Sequence, residues 1–317
     1  MHAGYPPAAR LGTDLAAWAE RDDTEGPQFR DDLMKLREEF GEIFDFERIV
    51  TTLREDLAAK RRKRLPDFGT AISKFFDSIR NAPAALYDRL AAERIQSSDV
   101  VITFNYDMAI ERSLKGAGLW EITTGYGRAL EIGTDPISPV KVLKLHGSTN
   151  WWGSIFGGAR GFSVAQDSIG DRPLLYFDPD FRYLGYADLR DPRAPRSSGL
   201  LSGLILPTLN KDFYYKTDFG NEWERFWDYL WLEAEAALRA ADEIVIIGYS
   251  MPLADERART LLLCNSNRSA RIVVCSHTQS QRIVGEFRQH GFTELKTPLG
   301  GTFESYLSGA ADSGRSS

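Results

Sequence analysis

The sequence predicts an α/β fold, Rossmann-like, with a mostly parallel sheet and helices on both faces. Two observations carry that prediction. Near residue 99 the texture changes from helix-spaced apolar residues to short, uninterrupted apolar runs. Runs of that kind suit strands buried on both faces, as in a parallel sheet. Helical stretches separate several of the runs, and that alternation builds βαβ units.

Taken in order, residues 7–96 read as helical. Leu11, Leu15 and Trp18 recur at helical spacing, as do Leu33, Leu36 and Phe40. Phe46, Ile49, Val50 and Leu53 follow, with Asp45 placed to cap them. Ile72, Phe75, Phe76 and Ile79, then Leu86 and Leu90, complete the region. The basic run at residues 60–64 reads as a solvated helix end before a turn at Pro66. Strands are expected at residues 100–104, 140–146, 202–207, 243–248 and 271–276. Helices are expected at 108–115, 221–240, 254–267 and 278–290. Residues 151–200 are rich in Gly, Pro, Asp and Arg, and read as an inserted lobe with one candidate strand at 174–177. Residues 1–309 are expected to form a single domain, with 310–317 as a frayed tail.

Composition narrows the function classes. Of 317 residues, 43% are hydrophobic and 26% charged, an ordinary globular balance. The formal net charge is -6, without the basic field that nucleic-acid binding requires, so no direct nucleic-acid partner is expected. Cys264 and Cys275 are the two cysteines; they match no CxxC spacing and cannot supply a four-ligand zinc site, so no metal is expected. Few cysteines, no secretory leader and no membrane-length apolar run make a cytoplasmic, non-membrane protein the expectation.

In open α/β sheets ligands bind beyond the carboxyl ends of the strands. The first run closes with Thr103, Phe104, Asn105, Tyr106 and Asp107, which brings an amide and a carboxylate toward that crevice. Asp107 can equally cap the helix that follows, while Asn105 satisfies loop backbone. The second run closes with Lys144, Leu145, His146, Gly147, Ser148, Thr149, Asn150, Trp151 and Trp152. His146 is placed either for general-base chemistry or as a hydrogen-bonded histidine of the sheet rim. Trp151 and Trp152 read as cover for the core. The fourth run closes with Gly248, Tyr249 and Ser250, either a phosphate- or ribose-binding turn or an ordinary strand-to-helix turn. It lacks the second glycine of a nucleophile elbow.

Together and in this order, the three stretches resemble the sirtuin family. Thr103 to Asp107 looks like its Thr-Gln-Asn-Ile-Asp motif, the stretch from Leu145 to Ser148 like its catalytic His-Gly, and the stretch from Ile246 to Pro252 like its Gly-Thr-Ser-Leu turn. The likeness is closer to the sirtuin-like NAD-consuming domains of bacterial antiphage defence proteins, and the stretch from Asp45 to Glu47 fits their helical region. The resemblance implies an NAD glycohydrolase that cleaves the nicotinamide–ribose bond to give nicotinamide and ADP-ribose. It makes His146 the base and Asn105 the group that positions ribose or water. Asp107 would hold the carboxamide. Ser250 and the backbone after Gly248 would hold the ribose–phosphate, with Thr103, Phe104, Gly147 and Tyr249 lining the same NAD site. Ser276 and His277 would lie near the adenosine.

Two departures accompany the resemblance. The paired CxxC ribbon of protein-deacylating sirtuins is missing, which favours hydrolysis of free NAD over deacylation. The Gly-Ala-Gly-x-Ser motif that opens the family is also absent; Ala3 and Gly4, which the resemblance likewise assigns to NAD binding, sit in a stretch like the one that follows it, so a central first strand and its phosphate loop are expected to be cut off. The competing expectation is a non-catalytic module that senses NAD or ADP-ribose, or docks a partner. A defence-system partner protein or a second copy of the chain is the partner the resemblance implies, and a purely structural subunit is the third reading.

Overall fold

The computed structural model describes residues 8–22, 65–79, 83–121, 124–126, 137–154, 200–205, 220–253 and 255–309, together with helical residues Arg30, Met34, Glu38, Val50 and Thr51. Within them the chain is mixed α/β, with small parallel sheets. The leading helices are α1 (Ala8–Arg21), α2 (Leu65–Ser78) and α3 (Ala85–Glu93). Their apolar stripes turn inward: Leu11, Leu15 and Trp18 from α1 meet the core with Ile72, Phe75 and Phe76 from α2. Trp18 and Phe75 lie 6.0 Å apart between ring centroids. Complete burial of a side chain such as Leu15 contributes about 2 kcal/mol.

The strands follow the apolar runs closely. β1 (Val100–Thr103) pairs in parallel with β2 (Lys141–Lys144), in register from Val100 opposite Lys141 to Thr103 opposite Lys144. The crossover between them carries α4 (Ala109–Gly116). A second parallel sheet joins β5 (Glu243–Ile247), β6 (Arg271–Cys275) and the two-residue β7 (Leu295–Lys296). Its crossovers carry α6 (Glu256–Cys264) and α7 (Ser280–Gln289). The long helix α5 (Gly220–Ala240) leads into β5, and the short α8 (Phe303–Leu307) follows β7.

The third run behaves differently from the expectation. It forms β4 (Leu200–Leu204), which pairs antiparallel with β3 (Gly147–Ser154), so that neither joins a parallel ladder. β3 escapes a reading from apolar runs because it opens on Gly147, Ser148, Thr149 and Asn150. The segment read as an insertion at 151–200 thus begins and ends in paired strands. Residues 155–199, with the candidate strand at 174–177, lie outside the described residues, as do Asp45, Phe46 and the basic run at 60–64.

β1 and β5 belong to separate sheets, with no ladder between them. At their carboxyl ends the Phe104 and Tyr249 rings stack, centroids 4.5 Å apart and planes 27° apart. At their amino ends Asp99 and Glu243 both act on the Tyr306 phenol, which burial and then these carboxylates push upward in pKa. The phase of each ladder is set by Leu145 N–H donating to Thr103 and by Gly248 N–H donating to Cys275. The N–H and C=O groups of Val100, Ile102, Glu243, Val245 and Ile247 therefore point away from their own sheets. Among the described residues none of them has a backbone partner. Among the described residues, too, no helix is long and apolar enough to cross a membrane.

Candidate functional site

Three chain turns meet beyond the carboxyl ends of β1, β2 and β5. Phe104 leaves β1, His146 follows β2 and Tyr249 follows β5. The Phe104 ring lies 5.1 Å from the His146 ring and 4.5 Å from the Tyr249 ring, with Trp231 of α5 at 6.5 Å behind it. The half-buried Phe104 is thus an apolar floor that joins stretches far apart in the sequence.

The β1 turn is held from below. The Tyr106 hydroxyl donates to the Ile205 carbonyl at 2.5 Å, while the Tyr106 carbonyl accepts from the Thr149 N–H at 3.0 Å. The Thr149 hydroxyl donates to the same carbonyl at 3.2 Å. Tyr106 itself is buried, and this clamp leaves its neighbour Asn105 exposed at the strand end, its N–H donating to Thr103 Oγ1 at 3.1 Å. The buried Asp107 carboxylate accepts from the Ala109 N–H at 2.9 Å, serving the first turn of α4. Asp107 precedes the N-cap residue Met108, so its carboxylate braces the entry to the helix by a local i to i+2 bond.

Beneath the turn lies a buried ion pair that the residue pattern did not single out. Lys144 Nζ donates to Glu111 Oε1 at 2.7 Å, with both side chains fully buried. Lys144 also donates to the Asp107 carbonyl, and the Tyr126 hydroxyl donates to Glu111 Oε1 at 3.3 Å. Burial pushes the Glu111 carboxyl upward in pKa, and the Lys144 ammonium opposes it. A lysine at the buried end of the strand was the available signal, since a charge in that position needs a buried counter-charge.

His146 is 5% exposed. Its carbonyl accepts from the Ile205 N–H at 2.9 Å, and Gly147 takes a φ of 85° to turn the chain into β3, a conformation that favours glycine. On its ring, Nε2 lies 3.6 Å from Asp255 Oδ2. Asp255, also buried, accepts from the Tyr249 hydroxyl at 3.0 Å. Burial and then the Asp255 charge push the Tyr249 phenol far upward, so it stays a proton donor at neutral pH. Asp255 was missed in the sequence because the helix was expected from residue 254, where an aspartate in the first turn reads as an ordinary helix-start residue.

The β5 turn supplies the open side. Gly248 has a φ of 67° and open space where a Cβ would stand. Ser250 is exposed, and its carbonyl accepts from the Arg282 guanidinium. The Ser276 hydroxyl donates to the Tyr249 carbonyl at 2.9 Å, which ties the end of β6 to that of β5. His277 is exposed with a φ of 47°. Trp151 is fully buried and packs 5.2 Å from Tyr126 and 6.0 Å from Trp227, as cover for the core. Ala3 and Gly4 lie outside the described residues, as does the side chain of Trp152.

Among the described residues no group of three or more His, Cys, Asp or Glu side chains is arranged to hold a metal. The crevice therefore offers an exposed amide, a buried histidine beside a carboxylate, an aromatic floor and an open glycine turn. Searches against family descriptions and against curated proteins return no match to this chain.

Proposed function

We propose that these three turns form one site that binds NAD and hydrolyses its nicotinamide–ribose bond, on a Rossmann-like frame of the kind ligands use at strand carboxyl ends. The observation that carries the reading is the meeting of Phe104 with both His146 and Tyr249. The three stretches that resemble sirtuin motifs are remote in sequence, and they share one aromatic contact in space.

The chemistry follows from the groups present. Nicotinamide departs with the electrons of the glycosidic bond, leaving an oxocarbenium-like ribose. Water attacks that carbon, and His146 takes up the proton it loses. Asn105, exposed at the end of β1, orients the ribose or the water. Phe104 and Tyr249 offer flat apolar surface, and the open turn from Gly248 to Ser250 offers backbone and hydroxyl groups to ribose and phosphate. Asp107 and Ser276 hold the turns in place through their hydrogen bonds to the Ala109 N–H and the Tyr249 carbonyl rather than by reaching the substrate. A part in antiphage defence, with a partner protein or a second copy of the chain, rests on the same resemblance.

A second reading, binding of NAD or ADP-ribose without turnover, is favoured by the deep burial of His146. One experiment separates the two. Purified protein is incubated with NAD, and nicotinamide and ADP-ribose are resolved by chromatography. Their equimolar appearance supports hydrolysis; saturable binding with NAD intact supports the second reading.

A further inference from the structure

Asp255 stands at the position that normally caps a helix, and it does not cap one. Its backbone performs the ordinary entry into α6: its N–H donates to the Pro252 carbonyl and its carbonyl accepts from the Arg259 N–H, both at 3.0 Å. Its carboxylate, however, makes no capping bond to the helix. The carboxylate turns instead into the site, where Oδ2 lies 3.0 Å from the Tyr249 hydroxyl and 3.6 Å from His146 Nε2. Both Asp255 and His146 are buried, so water screens their attraction little.

We propose that Asp255 is the positioning residue of the site, holding the His146 ring and stabilising its protonated form, with Tyr249 fixing the carboxylate. For its catalytic meaning the proposal rests on the NAD-hydrolysis reading; the pairing itself does not. An opposite charge at this distance raises the proton affinity of an imidazole. Among the described residues, the charged side chains of the neighbouring elements have partners of their own. Arg259, on α6, is engaged by Glu286 at 2.7 Å and by the Met251 carbonyl at 3.2 Å. Lys144, two residues before His146, is matched by Glu111. Phe104, on the β1 side, carries no charge. The Tyr249 hydroxyl spends its proton on Asp255 while its ring stacks on Phe104, so one residue ties the carboxylate to the aromatic floor.

Asp255→Asn is the informative variant, because asparagine caps a helix as well as aspartate does and keeps the shape. Histidine-labelled protein is titrated by NMR, with the His146 signal assigned by its loss in His146→Ala. The expected result is a His146 pKa lower in Asp255→Asn than in the unaltered chain by about one unit or more. In the cleavage assay kcat falls about tenfold or more with KM within about twofold, and Asp255→Glu restores part of it. An unchanged His146 titration in folded Asp255→Asn overturns the proposal, as does a His146 in the unaltered chain that stays neutral down to pH 5. If NAD is not cleaved by the unaltered chain, the NMR shift still decides the pairing, so failure of the hydrolase reading remains distinguishable from failure of this one.

Discussion

Asn105 and Tyr106 are adjacent and serve opposite purposes. Tyr106 is buried and fastened to β3 and β4 through its hydroxyl and carbonyl, and that fastening presents Asn105 to the crevice. Asn105→Ala therefore leaves stability within about 0.5 kcal/mol, as is usual for an exposed position. It lowers kcat for NAD cleavage by about a hundredfold, the scale expected when a positioning group is removed. Steady-state kinetics beside a thermal melt check both halves. The cysteines give a second residue-scale prediction. Burial pushes the Cys275 thiol up to about 12, whereas Cys264 is exposed. A thiol-specific reagent at pH 8 should modify one cysteine per native chain and two after denaturation. An unfolded Cys275 ionises near 9, so its burial costs no stability below that pH and subtracts only above it. His146 and Asn105 were legible because polar residues that end apolar runs are conspicuous. Asp255 was not, because it falls in the first turn of the helix expected from residue 254, and only the tertiary fold turns its carboxylate toward His146.

At the scale of elements, the buried pair between β2 and α4 holds the β1 turn to the sheet. Removing one partner strands the other as an uncompensated charge. Lys144→Met should cost about 3–5 kcal/mol in denaturant unfolding. Pairing it with Glu111→Leu should return much of that loss, because apolar side chains can replace a buried ion pair with little penalty. The parallel strands β1, β2, β5 and β6 were legible from their β-branched runs, and α4 to α7 from the helical stretches beside or between them. The antiparallel β3 and β4 were not legible as a pair. β3 is written in Gly, Ser, Thr and Asn, and its partner arrives only after residues 155–199, so nothing local announces the pairing. Asp107 shows the opposite case: a local bond at the helix entry was readable from its short distance to the helix, although the N-cap position itself falls to Met108.

At the scale of the whole molecule, β1 and β5 lend edges to two separate parallel sheets, which are joined beyond the strand ends by Phe104 and Tyr249. Hydrogen exchange should show the alternation of these edges. The amides of Ile244 and Ile246 point toward β6 and should be protected, while those of Val245 and Ile247 point away and should exchange faster. Uniform protection along β5 would mean that both edges are bonded. The site spans that junction, so a ligand bound there should stabilise the molecule as a unit. At a hundredfold excess over its dissociation constant, ADP-ribose should add about 2.7 kcal/mol. The central claim, that the three turns make one hydrolytic site with His146 as its base, meets its most direct test in a paired time course. Nicotinamide release from NAD is followed for the unaltered chain and for His146→Ala, at equal concentration and with matched circular dichroism. The account predicts steady release by the first and none above background by the second. Comparable release by a folded His146→Ala protein, or none by either, would contradict it.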